Sequence, residues 1–191
     1  MTEKIGILGG TYDPVHLGHI QIANYATSHL ALDRFYFLPT YCPVHKANEA
    51  ITDAKHRMNM LELSIADFPK FHIETTEIQA DGKVVYTIDT LKILKQKYKN
   101  AYLYFLIGAD QHAVFSTWKN PEEIVKLVQV VSVSRFGYTK DQAYPIYELP
   151  MSNIHISSTQ IRTWIKNHTC IEAFVHPNVV KYIKEHHLYE T

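Results

Sequence analysis

Two histidines three residues apart, His16 and His19, follow the turn Gly9-Gly10-Thr11-Tyr12-Asp13-Pro14-Val15, which itself follows the apolar run Ile5-Gly6-Ile7-Leu8. A strand, a glycine turn and a helix start in that order make a preformed site for polyphosphate, because backbone N–H groups there point outward and favour anions. Imidazoles at i and i+3 share one helix face, so both rings can address the same group. Gly18 lies between them, a poor helix former that costs about 1 kcal/mol against alanine. Its missing side chain is expected to let an adenine or ribose lie against the helix backbone. The chemistry implied is transfer of a nucleotidyl group. The plainer reading is a pair of helix-start histidines, one capping and one packed. Zinc chelation is disfavoured because no companion Glu or third ligand has the spacing of the common zinc helices.

The second segment that could do chemistry is Ile156-Ser157-Ser158-Thr159-Gln160-Ile161-Arg162. Ser157 to Gln160 fits a capping box, so a helix is predicted to start here after a strand at 154–156. Hydroxyls and unpaired N–H groups at a helix start can hold phosphate oxygens, and Arg162 adds a fixed charge with a bidentate fork. Read alone, the segment is a plain N-cap followed by a surface arginine, and the histidine turn is what shifts the reading toward phosphate. No GxxxxGK[ST] loop and no GxGxxG are present, which disfavours a P-loop kinase and a dinucleotide dehydrogenase. A histidine pair with one distant arginine needs no covalent intermediate. It can bind charge that builds on an α-phosphate and on departing pyrophosphate.

These groups need a scaffold. Strands are predicted at residues 4–9, 34–38, 101–107 and about 128–134, with an extended stretch at 71–78. Helical spacing runs through Ile22, Ala23, Ala26 and Leu30. It recurs after an N-cap at Thr52 or Asp53, along Ala54, Met58, Leu61, Ile65 and Phe68, and again from Tyr86 to Tyr98 and over 121–127. The segment 40–51 reads as a loop. Alternating strands and helices imply an α/β fold, a Rossmann-like, doubly wound parallel sheet covered on both faces, with a small helical part over about 157–191. Ligands in such sheets sit at the carboxyl ends of strands. The glycine–histidine turn, the loop after Pro39 and Gly108-Ala109-Asp110 all fall there.

Hydrophobic residues make up 46% of the 191 positions, enough for one domain with an unstapled core. The 19 basic and 19 acidic residues balance, which argues against a general nucleic-acid or membrane-surface binder. Cys42 and Cys170 form no CxxC pair, and no apolar run reaches the roughly 18–20 residues needed to span a bilayer. Met-Thr-Glu-Lys enters a strand at once, so a cytoplasmic protein without a signal peptide is expected. The oligomeric state is left open, a homo-oligomer included.

With these residues in hand, the chain resembles the bacterial nicotinate mononucleotide adenylyltransferases. These belong to a nucleotidyltransferase superfamily marked by a Thr/Tyr-x-Asp-Pro-x-His-x-Gly-His turn and an Ile-Ser-Ser-Thr-x-x-Arg segment. The similarity extends through Pro43-Val44-His45-Lys46, Arg57-Met58, Tyr86-Thr87-Ile88-Asp89-Thr90, Gly108-Ala109-Asp110 and Trp118 to the closing segment from Pro177 to Leu188-Tyr189. The resemblance implies one nucleotidyltransferase domain over 1–191, with ATP and nicotinate mononucleotide as substrates and Mg2+ accompanying ATP. It implies catalytic roles for His16, His19, Arg162 and Lys46, and ATP contacts from Gly9, Gly10, Thr11, Gly18, Ser158 and Thr159. It implies mononucleotide contacts from Thr87, Gly108, Asp110, Trp118 and Arg135, and no protein-held metal. Taken without the resemblance, Trp118 is a core residue, Asp110 an N-cap and Lys46 a solvated loop lysine. Four departures fall on the acceptor side: Val85 for a usual Ser, Lys119 for an aromatic, Tyr41-Cys42-Pro43-Val44 for a Pro-Pro pair, and Ile171-Glu172-Ala173-Phe174 for a more basic segment. Lys119 is expected to favour the carboxylate of nicotinate over the neutral amide.

Overall fold

The computed structural model describes residues 2–41, 51–80, 86–133, 142–151 and 156–190. Six strands form one all-parallel sheet: β1 (Glu3–Gly10), β2 (Arg34–Pro39), β3 (Phe71–Ile73), β4 (Ala101–Gly108), β5 (Gln129–Val133) and β6 (Tyr147–Leu149). Their order is β3-β2-β1-β4-β5-β6, so the chain winds outward from β1 in one direction and then from β4 in the other. This is the doubly wound arrangement expected from the sequence, and it opens a crevice between the carboxyl ends of β1 and β4. β1 pairs with β2 from Ile5↔Arg34 to Gly10↔Pro39 and with β4 from Glu3↔Ala101 to Leu8↔Leu106. The glycine turn and Gly108 therefore leave the sheet at the same edge.

Helices cover both faces, as a parallel sheet of near-continuous apolar strands requires. One core joins Ala23 and Ala26 of α1 (Leu17–His29), Met60 and Leu61 of α2 (Ala54–Ile65), Ile161 of α6 (Ser158–Lys166) and Val179, Val180 and Ile183 of α7 (Pro177–Glu185). The other joins Ile88, Leu91 and Leu94 of α3 (Thr87–Lys97) with Ile124 of α5 (Pro121–Leu127). A short α4 (Ala109–Ala113) follows β4 directly.

Two expectations change, and one strand was not foreseen. The buried face of α2 is Arg57, Met60, Leu61, Ser64 and Ile65, so Met58 lies at its margin. Phe68 stands beyond the helix and stacks on Phe71, 4.8 Å between centroids. The cause is Arg57, whose guanidinium turns inward to backbone carbonyls. Second, the extended stretch at 71–78 holds only three residues of strand and closes in a 3-10 turn at Ile78–Ala80. The chain leaves the sheet because buried Glu74 is drawn into a knot of donors: Thr76 Oγ1 at 2.6 Å, Lys97 Nζ at 2.9 Å and Tyr98 OH at 2.8 Å. The unforeseen strand is β6, the last described, a three-residue edge strand between Pro145 and Pro150. The strand predicted at 154–156 lies largely outside the described residues, and Ile156 itself is buried but not in a strand.

Burial alone would raise the Glu74 carboxyl, but hydrogen bonds from Thr76, Lys97 and Tyr98 outweigh it and hold it below its ordinary value of 4.5. A depressed folded-state pKa contributes stability that is complete above the ordinary carboxylate value and is lost as pH falls through the folded value. Glu74→Gln is therefore expected to lower the urea midpoint at neutral pH and to flatten its decline in acid. Parallel acid limbs for the two proteins would show that Glu74 carries none of that dependence.

Candidate active site

β1 runs out into the turn that carries the histidines. Tyr12 takes a left-handed backbone, φ 53, and its hydroxyl donates back to the Leu8 carbonyl, folding the turn on itself. Gly10 suits the close approach here: a Cβ at that position would stand 3.0–3.3 Å from the buried Tyr12 ring, a tight contact that the ring would have to yield to. The Asp13–Pro14 peptide is cis. His16 is the N-cap of α1 and His19 its third residue. The His16 N–H donates to His19 Nδ1 at 3.2 Å, and the two rings stack with centroids 3.7 Å apart. The His19 ring also meets the edge of Tyr12 at 5.0 Å. His16 is buried and His19 half-buried. With Nδ1 accepting, a neutral His19 carries its proton on Nε2, which makes that atom a donor. Gly18 is buried in the first turn of α1, and no acidic residue occupies that turn.

The helix start at 157–162 docks on this turn. Ser157 caps α6, accepting from the Gln160 N–H at 3.3 Å. The Ser158 hydroxyl donates to the Pro14 carbonyl at 2.9 Å, and Arg162 Nη1 to the Asp13 carbonyl at 2.8 Å. Arg162 Nη2 reaches Thr159 Oγ1 at 3.3 Å. The imidazole pair and the guanidinium thus belong to one assembly, although their segments stand far apart in the chain. Two helix N-termini without acidic residues in their first turns meet at it, α1 and α6, an electrostatic setting for bound anions.

A cleft of about 420 Å³ opens beside the turn, lined among others by Gly9, Gly10, Thr11, Thr87, Gly108, Asp110 and Trp118. Seven residues expected to touch substrate therefore share one cavity. His16, Gly18, His19, Ser158, Thr159 and Arg162 are not among its lining residues; Thr11 lines it, and Ser158 and Arg162 are tied to the same turn at the Pro14 and Asp13 carbonyls. Gly108 lets the Asp110 carboxylate fold back, since a Cβ there would lie 2.5 Å from Asp110 Oδ1. Asp110 is the second residue of α4, whose N-cap is Gly108, so the N-cap reading of Asp110 does not hold. Trp118 packs its ring on Phe115 and Phe105, at 5.2 and 6.4 Å, while bordering the cleft, so it is both a core and a cavity residue. Lys46 and Arg135 lie outside the described residues, as do Cys42 and Val85.

Three residues of the site received no role from sequence reasoning, although Arg57 and Tyr189 lie in segments that carry the resemblance. Arg57 is buried in the turn's floor and donates to the carbonyls of Thr11 (2.7 Å), Thr40 (2.8 Å), Thr52 (2.9 Å) and Tyr41 (3.2 Å). A cation on the apolar face of an amphipathic helix was its available signal. Glu77 lines the cleft and accepts from Thr90 Oγ1 at 2.9 Å. Burial raises its carboxyl, and hydrogen bonds from Thr90 and Thr40 oppose the rise. Tyr189, visible in the sequence only as part of the closing segment, donates to Asp13.

A six-stranded doubly wound sheet with a glycine turn, stacked imidazoles and a cavity at the β1–β4 crevice defines a nucleotide-binding α/β protein. Comparison with known proteins gives the narrower placement. Residues 7–164 match the cytidylyltransferase-like family, and the chain belongs to that family. The nicotinate-nucleotide adenylyltransferase of Bacillus subtilis (strain 168) is 39% identical over 189 residues, covering 99% of this chain and all of that protein. A probable nicotinate-nucleotide adenylyltransferase of Lactiplantibacillus plantarum is 41% identical, covering 98% and 89% of the two chains. In fold, the chain matches the nicotinic acid mononucleotide adenylyltransferase of Plasmodium falciparum, solved with NaAD, at a TM-score of 0.81 over 98% of each chain and 22% identity. Among the described residues no helix is long and apolar enough to cross a membrane.

Proposed function

We propose that this protein transfers AMP from ATP to nicotinate mononucleotide, releasing pyrophosphate and forming the deamido-dinucleotide, a step of NAD biosynthesis in the cytoplasm. The observation that carries this reading is the docking of α6 on the histidine turn directly beside a cavity large enough for a mononucleotide. A phosphate oxygen of the acceptor attacks the α-phosphorus of ATP. The bond from the α-phosphorus to the bridging oxygen breaks in line, and that oxygen leaves on pyrophosphate. No covalent intermediate forms on the protein, so catalysis is positioning and charge stabilisation.

In this reading His16 and His19 bind the phosphates as charge develops, with Gly18 leaving room beside them. Ser158, Thr159 and Arg162 hold the departing β- and γ-phosphates. Gly9, Gly10 and Thr11 present backbone to ATP, and Lys46 and Arg135 add positive charge. Asp110 accepts from a ribose hydroxyl, Gly108 gives the ribose close access, Trp118 stacks on the pyridine ring and Thr87 receives the nicotinate carboxylate at the start of α3. Among the described residues no group of three or more His, Cys, Asp or Glu could hold a metal. In this reading magnesium arrives on the triphosphate, since Mg2+ keeps its waters and binds substrate phosphates rather than an all-protein cage.

Lys119 supports nicotinate as the acceptor. It lines the cleft with its ammonium 4.2 Å from the Tyr86 ring centroid and 3.1 Å from Asp89 Oδ2. Lys119→Gln is expected to narrow the preference for nicotinate over nicotinamide mononucleotide by about threefold, the scale of an exposed charge contact. An unchanged ratio would take Lys119 out of acceptor selection. The reaction itself is tested by pyrophosphate release with ATP, magnesium and, in turn, nicotinate mononucleotide, nicotinamide mononucleotide and phosphopantetheine. Fast release with the first alone is the expected result, and tight ATP binding with no release for any acceptor would overturn the reading.

A further inference from the structure

The Tyr189 hydroxyl reaches across 176 positions of sequence to donate to Asp13 Oδ1 at 2.6 Å. Asp13 is only 4% exposed, and its other carboxylate oxygen accepts from the Thr52 N–H at 3.2 Å. The Asp13 carbonyl receives Arg162 Nη1, and the next carbonyl, Pro14, receives the Ser158 hydroxyl. One buried residue thus joins four elements: the histidine turn, the chain entering α2, the start of α6 and the segment after α7. Tyr189 holds a left-handed backbone, φ 67, as does Tyr12 at φ 53 in the turn itself. Bulky residues seldom adopt that conformation, and it persists where the surroundings over-determine it, commonly beside functional sites. Burial and the neighbouring Asp13 carboxylate push the Tyr189 hydroxyl far above the ordinary tyrosine range, so it stays protonated and able to donate.

We propose that Tyr189 is a positioning residue of the triphosphate site, its hydroxyl acting through Asp13 to aim the histidine turn and Arg162. The inference rests on the adenylyl-transfer reading above. The ring of Tyr189 packs against the core, and α7 is anchored independently by Val179, Val180 and Ile183. The segment before α7 is held too, with the Leu17 N–H donating to the Phe174 carbonyl at 2.8 Å. Removing the hydroxyl therefore leaves the packing and frees one oxygen of Asp13. A freed carboxylate oxygen on the residue whose carbonyl already holds Arg162 can draw that guanidinium into a charge-assisted pair, which competes with phosphate oxygens for the same donors.

The test is Tyr189→Phe, with initial rates measured against ATP and against the mononucleotide separately. The expected result is a loss of about tenfold in kcat/KM for ATP, the scale of a modest misplacement of reacting groups. KM for the mononucleotide should stay close to that of the unaltered protein, and the thermal midpoint should fall by no more than the few degrees that one lost buried hydrogen bond costs. In the D13N background the same change should cost nothing further, because a route through Asp13 is already broken. An unchanged kcat/KM for ATP, equal losses for both substrates with a larger fall in the midpoint, or a full further loss in the D13N background would each overturn the proposal. ATP binding by calorimetry reads it without turnover, with about tenfold weaker binding expected in Tyr189→Phe. Absence of pyrophosphate release by the unaltered protein would count against the reaction, and an undiminished ATP affinity in the variant would count against Tyr189.

Discussion

His19→Ala is expected to leave the fold standing and to lower the turnover number about 10²–10³-fold, the cost of removing one preorganised donor of about 3–4 kcal/mol from a developing anion. His19 is half-buried, so its loss opens no large cavity. Its ring holds Nδ1 toward the His16 N–H, which fixes the ring's orientation before any ligand arrives. That preorganisation is why the effect should fall on kcat. A donor already aimed pays no reorganisation when charge appears on the phosphates. The structural share is small: one neutral hydrogen bond is worth about 1 kcal/mol and one ring stack a similar amount. Steady-state pyrophosphate release and thermal melting of both proteins check this together. A turnover number within twofold of the unaltered protein would remove the imidazole from the mechanism, whatever the melting curve showed.

Arg57→Met should act on the fold instead, lowering stability by about 3–5 kcal/mol. Arg57 is 1% exposed, and its guanidinium serves carbonyls from three stretches: Thr11 in the histidine turn, Thr40 and Tyr41 beyond β2, and Thr52 before α2. Methionine fills much of the volume but donates nothing. Each buried carbonyl left without a donor costs about 1–3 kcal/mol, and those nearer the surface recover part of that from water. Arg57→Lys should recover less than half, because a single ammonium cannot span a fork that reaches several carbonyls. Urea unfolding with an unchanged m-value measures the difference. A loss below about 1 kcal/mol would mean the carbonyls find other donors.

The sequence made the chemistry legible in some places and not in others, for a physical reason. His16, His19 and the serine-rich start of α6 were readable because their meaning is local: a turn, a cap and a spacing of three lie inside one window. The strand alternation was readable for the same reason, and it placed Gly10 and Gly108 at one sheet edge. Arg57, Glu74, Glu77 and Tyr189 were not, because each takes its meaning from partners elsewhere in the chain. Glu74 finds Lys97 23 positions on, and Tyr189 finds Asp13 176 positions back. The β6 strand was missed because three residues between prolines carry no periodicity. The buried face of α2 was misplaced because an arginine occupies an inward position that hydropathy assigns to solvent.

The ties made by Arg57 and Tyr189 converge on the histidine turn. The measurement that bears on it most directly is a crystal structure of the protein with a non-hydrolysable ATP analogue and magnesium. The expected result is β- and γ-phosphate oxygens within hydrogen-bond distance both of the His16–His19 pair and of Ser158, Thr159 or Arg162 on α6. A triphosphate touching only one of these two segments, or lying elsewhere on the sheet edge, would contradict it.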